Sequence, residues 1–276
     1  MPDNTNILTT GSTRWIQPRQ PEKDPLQSQN LRTQNRLAFL VGLVALCLPI
    51  IMVLGARLDG DCYRDSISHY YYAQVLGSIF VGLLSFIGGF MIAYSGEHWI
   101  EDTGSFIAGV GAFFVAIFPT IGNGCEDHPG FLSRVFVQYH SGPPDRVVPM
   151  PDGSFFMLFP DVGDVHRMAA SVLFIYLGVY CLVVMRRIVP ERHVRDNRLI
   201  ESKRRRNLVY GICGYTILGC VTLLACIGFL TGPEFKVWWN QWNLTFVFET
   251  TMLWAFALAW FTKGRQFKWM NDPAPV

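Results

Sequence analysis

Long apolar runs alternate with short charged connectors along the chain, and that pattern is its most informative feature. Crossing a bilayer as a helix takes about 20 consecutive apolar residues, and six segments qualify: 37–56, 72–94, 103–119, 165–185, 208–230 and 244–261. The runs are continuous and lack the period-two alternation of a barrel wall, so strands are a poor alternative. The expectation is an all-α polytopic membrane protein: a six-helix transmembrane bundle over 37–264 with a polar, non-cytoplasmic cap. A flexible cytoplasmic tail over 1–36 precedes it and a short tail over 265–276 follows.

Composition sharpens this picture. Half of the 276 residues are hydrophobic and only 16% are charged, against roughly 25% in ordinary soluble domains. A disordered chain, a coiled coil and a small disulfide scaffold are thereby excluded as classes, and the composition argues against a soluble enzyme. The net charge of +2 gives no footprint for nucleic acid, so the expected partners are membrane lipids.

Lys and Arg fix the expected orientation. Five lie in the tail before the first span, nine in the loop over 186–206 and three after the last span. These are seventeen of 23 in all. That side is read as cytoplasmic, with both termini inside and the chain in a bacterial inner membrane. The basic loop is a topology determinant, with an anionic headgroup or a cytoplasmic partner as its alternative use. Trp238, Trp239 and Trp242 before the sixth span read as interfacial anchors. Small residues in span two (Gly82, Ser85, Gly88, Gly89) and span three (Gly104, Ala108, Gly109, Gly111, Ala112) predict close helix packing. That packing is first internal, and secondarily a homo-oligomer face. The acidic turn of Glu97, Glu101 and Asp102 faces the basic loop, which can neutralise it.

Chemistry-bearing residues collect at the other end of the spans. One connector runs from Asp59 to Tyr72 and contains Cys62, Arg64, Asp65, Ser66, Ser68, His69, Tyr70 and Tyr71. The other, 120–164, holds Cys125, Glu126, Asp127, His128 and His140, with a turn signal at Pro151-Asp152-Gly153. Five of the seven cysteines are apolar fillers within spans; Cys62 and Cys125 are the pair that an oxidising outer face would join, with two free thiols as the alternative. His166 heads span four. Glu249 lies inside span six, where a carboxylate is costly unless paired or facing a cavity. His69, His166, Arg167 and Arg64 are the cationic partners expected for it. Ser68, His69, Tyr71, His166 and Glu249 are therefore the candidate walls of an outward-facing pocket for a lipid or small amphiphile. Asp65, His69 and His166 form an alternative donor set for a hydrolytic zinc, although no HxxxH or CxxC spacing fixes two ligands on one element; otherwise no cofactor is expected. A proton-coupled transporter centred on Glu249 is a third reading.

The motif Ser66-Ile67-Ser68-His69-Tyr70-Tyr71-Tyr72, with Phe80-Val81-Gly82-Leu83-Leu84, resembles a family of uncharacterised bacterial six-span membrane proteins. Ala116-Ile117-Phe118-Pro119-Thr120, His166 and Trp260-Phe261-Thr262-Lys263-Gly264 look like it too. The resemblance covers most of the chain from span one onward and implies no activity. Span count and the His at the head of span four give a fainter likeness to the Frag1/DRAM/Sfk1 membrane proteins linked to lipid handling. Ser66, Asp65, His69 and His166 suggest a comparison with alkaline ceramidase and adiponectin-receptor type hydrolases, from which this chain departs in lacking the final-helix HxxxH and a seventh span.

Overall fold

The computed structural model describes residues 25–60, 62–94, 98–118, 120 and 162–272. The outer loop over 121–161, with Cys125, His128 and His140, lies outside them. So does the tail over 1–24. Among the described residues six helices are long and apolar enough to cross a membrane. They are α1 (Pro25–Asp59), α2 (Gln74–Ala93), α3 (Trp99–Ile117), α4 (Val162–Val179), α6 (Glu201–Leu230) and α8 (Leu244–Lys263). A π-turn, Tyr180–Val184, extends α4. Two short helices, α5 (Pro190–His193) and α7 (Pro233–Gln241), sit in connectors. Between α5 and α6 a hairpin pairs β1 (Val194–Arg195) with β2 (Arg198–Leu199). Its two-residue turn places Asp196 and Asn197 at φ of 49° and 60°, the left-handed pair that a tight hairpin needs.

The spanning helices form a closed ring in chain order. α1 packs on α2, α2 on α3, α3 on α4, α4 on α6, α6 on α8, and α8 returns to α1. At the closing seam Gly42 of α1 lies against Phe261 and the Ala257 carbonyl, and Gly264 lies against the Asn35 carbonyl and Ala38. The start of α1 and the end of α8 therefore share one end of the bundle, as an even number of spans requires. We call it the basic end, and the opposite one the cap end. Inward positions carry the buried core, including Leu48, Met52, Phe80, Ile217, Phe256 and Trp260. Outward positions such as Leu54, Phe106, Ile212 and Phe229 are exposed and apolar. A surface of that kind suits contact with lipid tails, which need no polar covering.

Small residues set the close approaches, as expected for spans two and three. A Cβ on Gly109 would stand 2.7 Å from the Gly88 carbonyl and 2.9 Å from the Ile92 amide nitrogen. Gly111 faces the Ala169 carbonyl of α4, while Gly82 and Gly89 face open space. A second seam, between α4 and α6, apposes Gly178 and Gly214 in the same manner.

Three expectations need correction. Residues 25–36 are not a flexible tail: α1 starts at Pro25, where proline suits the first helical position and the following Leu, Gln and Arg favour helix. The basic loop ends at Ile200, because α6 begins at Glu201 and carries Lys203 to Arg206 in its first turns. Trp238 and Trp242 are exposed, but Trp239 is not an anchor. It is buried, donates from Nε1 to Thr245 Oγ1 at 2.8 Å and stacks on Phe248, and so pins α7 to α8.

Of the acidic turn, Glu97 lies outside the described residues, while Glu101 meets the basic loop as expected. His98 caps α3 by accepting the Ile100 amide, and Glu101 and Asp102 occupy its first turn, where negative charge meets the positive end of the helix dipole. Glu101 is nearly buried and paired with Arg187 of the basic loop at 2.7 Å.

Candidate functional site at the cap end

Cys62 to Tyr72 form a lid of short turns across the cap end, finishing in a 3₁₀ turn, Ser68–Tyr72. Two hydrogen bonds of opposite sense clamp it to the first turns of α8. The Phe246 amide donates to the Asp65 carbonyl at 2.8 Å, and the Ile67 amide donates to Glu249 Oε2 at 2.6 Å. Tyr70 packs edge-on against Phe246, with the buried Arg64 guanidinium over its ring. Glu249 therefore finds a backbone donor at the head of the 3₁₀ turn, where unsatisfied N–H groups converge. This corrects the expected ion pair. Of the named cations, Arg167 pairs with Asp164 on the surface, and His69 Nδ1 meets Asp65 Oδ1, four residues earlier in the lid.

The lid is held equally firmly to the end of α3. Tyr71 donates to the Ile117 carbonyl at 3.2 Å and Tyr72 to the Thr120 carbonyl at 2.6 Å. From α4, His166 Nδ1 donates to the Phe118 carbonyl at 2.7 Å. Tyr71 and His166 thus serve carbonyls that α3 leaves unpaired at its end, and Tyr72 holds the backbone just beyond it. Burial, followed by the neighbouring Tyr71, pushes the Tyr72 phenol well up, so it stays a neutral donor. Because the Phe118 carbonyl can only accept, the proton of His166 sits on Nδ1. Its Nε2 is buried with no hydrogen-bond partner among the described residues.

Beneath the lid lies a cavity of about 50 Å³. Ser68 and Glu249 are its polar walls, beneath the lid residue Ile67; the rest is apolar, from Leu48 of α1, Phe80 and Leu84 of α2, and Leu173 and Leu177 of α4 to Leu253 and Phe256 of α8. A second space, an open groove of about 430 Å³, runs between α1 and α2 at the same end. It is lined by Ile51, Leu54, Leu58, Val75, Leu76 and Ile79, with Asp59 its charged residue.

The five sequence-named wall residues thus divide. Ser68 and Glu249 line the cavity. Tyr71 and His166 cap α3, and His69 joins Asp65; none of these three lines it. His69 still acts electrostatically on both Glu249 and His166, so these three polar groups share one neighbourhood. Among the described residues no group of three or more His, Cys, Asp or Glu side chains stands together as a metal needs; Asp65, His69 and His166 are not gathered on one point. Cys62 is not among the free thiols Cys47, Cys181, Cys213, Cys220 and Cys226, and Cys125 lies outside the described residues. Sequence reading missed Tyr72 and the backbone of Ile67; a run of three tyrosines after a polar connector was the available signal for the first.

Compared with known family models, curated proteins and solved structures, the chain matches none.

Proposed function

We propose that this membrane protein binds a lipid or small amphiphile at its cap end. The polar head would meet Glu249 and Ser68, and the tail would lie among the apolar walls of α2, α4 and α8. The carrying observation is the cavity itself, a mostly apolar space whose polar lining is a carboxylate and a hydroxyl, those of Glu249 and Ser68. Binding sites for small molecules have that composition, mostly apolar walls with a few convergent polar groups. Its volume suits about one or two waters, so entry of an amphiphile requires the lid to lift from α8 at the Ile67–Glu249 contact. The groove between α1 and α2 supplies a seat for an acyl chain on the bilayer side of the same end.

In this reading the basic end is cytoplasmic and the cap end faces the outside of a bacterial inner membrane. The Cys62–Cys125 pair then clamps the long outer loop to the lid. Kinship with the six-span bacterial family belongs to the same proposal.

The test fills the cavity. Ala170, another wall residue, is replaced by Trp, and a fluorescent single-chain amphiphile is titrated into the purified protein in detergent. Ala170→Trp should abolish saturable binding while the helical spectrum is kept. Equal binding by wild type and variant would sink the reading.

A further inference from the structure

The basic end carries a site of its own. The segment after α8 folds back so that Asp272 meets the first turns of α6. Its Oδ1 accepts from Ser202 Oγ at 2.7 Å and from Arg206 Nη2 at 2.8 Å, and its Oδ2 from Arg265 Nη1 at 3.0 Å. Arg206 also donates through Nη1 to the Met270 carbonyl. Lys203, one turn away, donates to the Met185 carbonyl at 3.0 Å. Lys203 and Arg206 are both buried, at 5% and 3% exposure.

The charge count here is lopsided. Arg206, Arg265 and Arg187 all act on Lys203 with like charge, opposed by Asp272, and Arg187 is already committed to Glu101. Among the described residues Arg206 and Arg265 thus share the carboxylate of Asp272, with Lys203 one turn away. Buried cations are costly without matching counter-charge, and basic pockets between spans at headgroup depth are the places that take up lipid phosphates. A phosphate offers more charge and more acceptor oxygens than a carboxylate, and the arginine fork matches it at two oxygens. Trp269, exposed and stacked on Arg205 beside the pocket, provides an interfacial aromatic at the same level.

We propose that Ser202, Arg206 and Arg265 form a phosphate site for the headgroup of an anionic membrane lipid, in which Asp272 is the chain's own occupant. Lipid and carboxylate compete, so the segment after α8 lies down in the absence of the lipid and lifts in its presence.

The experiment uses the full chain in mixed micelles, with fluorescent phosphatidic acid as probe. Phosphatidylcholine and inorganic phosphate are the comparison ligands. Removing the competitor in Asp272→Ala should tighten phosphatidic acid binding about tenfold, the equivalent of one charge-assisted hydrogen bond, and leave phosphatidylcholine unchanged. Adding Arg265→Gln, a partly exposed position, should cancel the gain without the risk of removing the buried Arg206. Should Asp272→Ala fold poorly, Asp272→Asn keeps an acceptor oxygen, and a gain of the same sign is expected. An unchanged affinity, or an equal gain for phosphatidylcholine, would reduce Asp272 to a structural ion-pair partner. Competition by inorganic phosphate at the concentration of the lipid would make the site one for soluble phosphate and overturn the lipid assignment.

Discussion

Glu249 of α8 accepts the backbone N–H of Ile67 at 2.6 Å across 182 residues of chain, so the last spanning helix holds the lid placed between the first two. This bond gives the carboxylate a structural duty apart from any ligand. Glu249→Ala leaves a half-buried amide without its acceptor and should cost about 1–3 kcal/mol. Glu249→Gln keeps an oxygen in place and should cost less. Thermal unfolding in detergent separates the two. Because His166 bonds to Phe118 and not to Glu249, His166→Ala should not rescue Glu249→Ala. A rescue would show that the two are paired after all.

The close approach of α2 and α3 predicts a second effect. A methyl group on Gly109 would meet the backbone of Gly88 and Ile92, which has no flexible end to give way. Gly109→Ala should therefore destabilise the bundle by about 1–3 kcal/mol. Gly89→Ala, at the next position of α2 but facing open space, should be close to neutral. Equal melting temperatures for the two variants would refute the contrast.

At the basic end Lys263 is held in an aromatic cage. Its Nζ donates to the Tyr94 hydroxyl at 2.6 Å and to that of Tyr180, and it lies 4.7 Å from both ring centroids and 5.3 Å from that of Trp260. Cation–π contacts reach about 2 kcal/mol when desolvated. Lys263→Met should lose at least that much stability, and Lys263→Arg should not restore it, since a planar fork cannot take the place of a compact ammonium between two hydroxyls. Chemical unfolding of the three proteins measures both statements.

Acid should loosen the same end. Burial first, and then the charge of Lys203, hold His193 down from 6.5 to about 4, with Arg206 and Arg265 adding to this and Asp272 opposing it. Neutral His193 accepts the Val189 amide at 2.9 Å through Nδ1. A depressed value means the unfolded chain takes up the proton first, so stability is full above about pH 6.5 and falls as the pH drops towards 4. At lower pH Asp272 adds to the loss: burial raises its carboxyl, but Ser202, Arg206 and Arg265 outweigh this and hold it below its ordinary value. Hydrogen exchange at Val189, corrected for its intrinsic rate, should accelerate across that window. Protection that is flat from pH 7 to 4 would contradict the assignment.

The proposed clamp gives a topological test. If the cap end is oxidising, Cys62 and Cys125 resist a membrane-impermeant thiol reagent on intact cells until reductant is added. Reporter fusions after Val276 and within 140–155 should then give opposite compartments. Immediate labelling of Cys62 would remove the clamp, and matching reporters would remove the orientation.

The spans were legible because lipid demands long apolar runs, and Glu249 stood out because an acid inside such a run needs a reason. Its partner was not legible. A carboxylate signals in sequence that it must be satisfied, but a backbone amide 182 residues away carries no residue type to read. His166 and Tyr71 read as pocket walls for the same cause: a side chain that caps a distant helix end looks, in sequence, like one waiting for a substrate. Lys263, Tyr94 and Tyr180 were hidden differently, each an ordinary span-end residue until the π-turn after Val179 and the ring of helices bring them together. The start of α6 was misplaced because hydropathy reports where lipid begins, and charged residues of good helix propensity carry the helix past that point.

The ring of six helices also constrains the order of events in synthesis. α8 is the last of these six to emerge, yet it supplies the seam with α1, two of the hydrogen bonds that seat the lid and the lysine of the aromatic cage. Until it inserts, the earliest helix waits with one flank uncovered and the amide of Ile67 lacks its acceptor. Assembly of this bundle is therefore finished by its final helix, and a nascent chain stalled before residue 244 should be recognised by the cell as incomplete, however well its first five spans are placed.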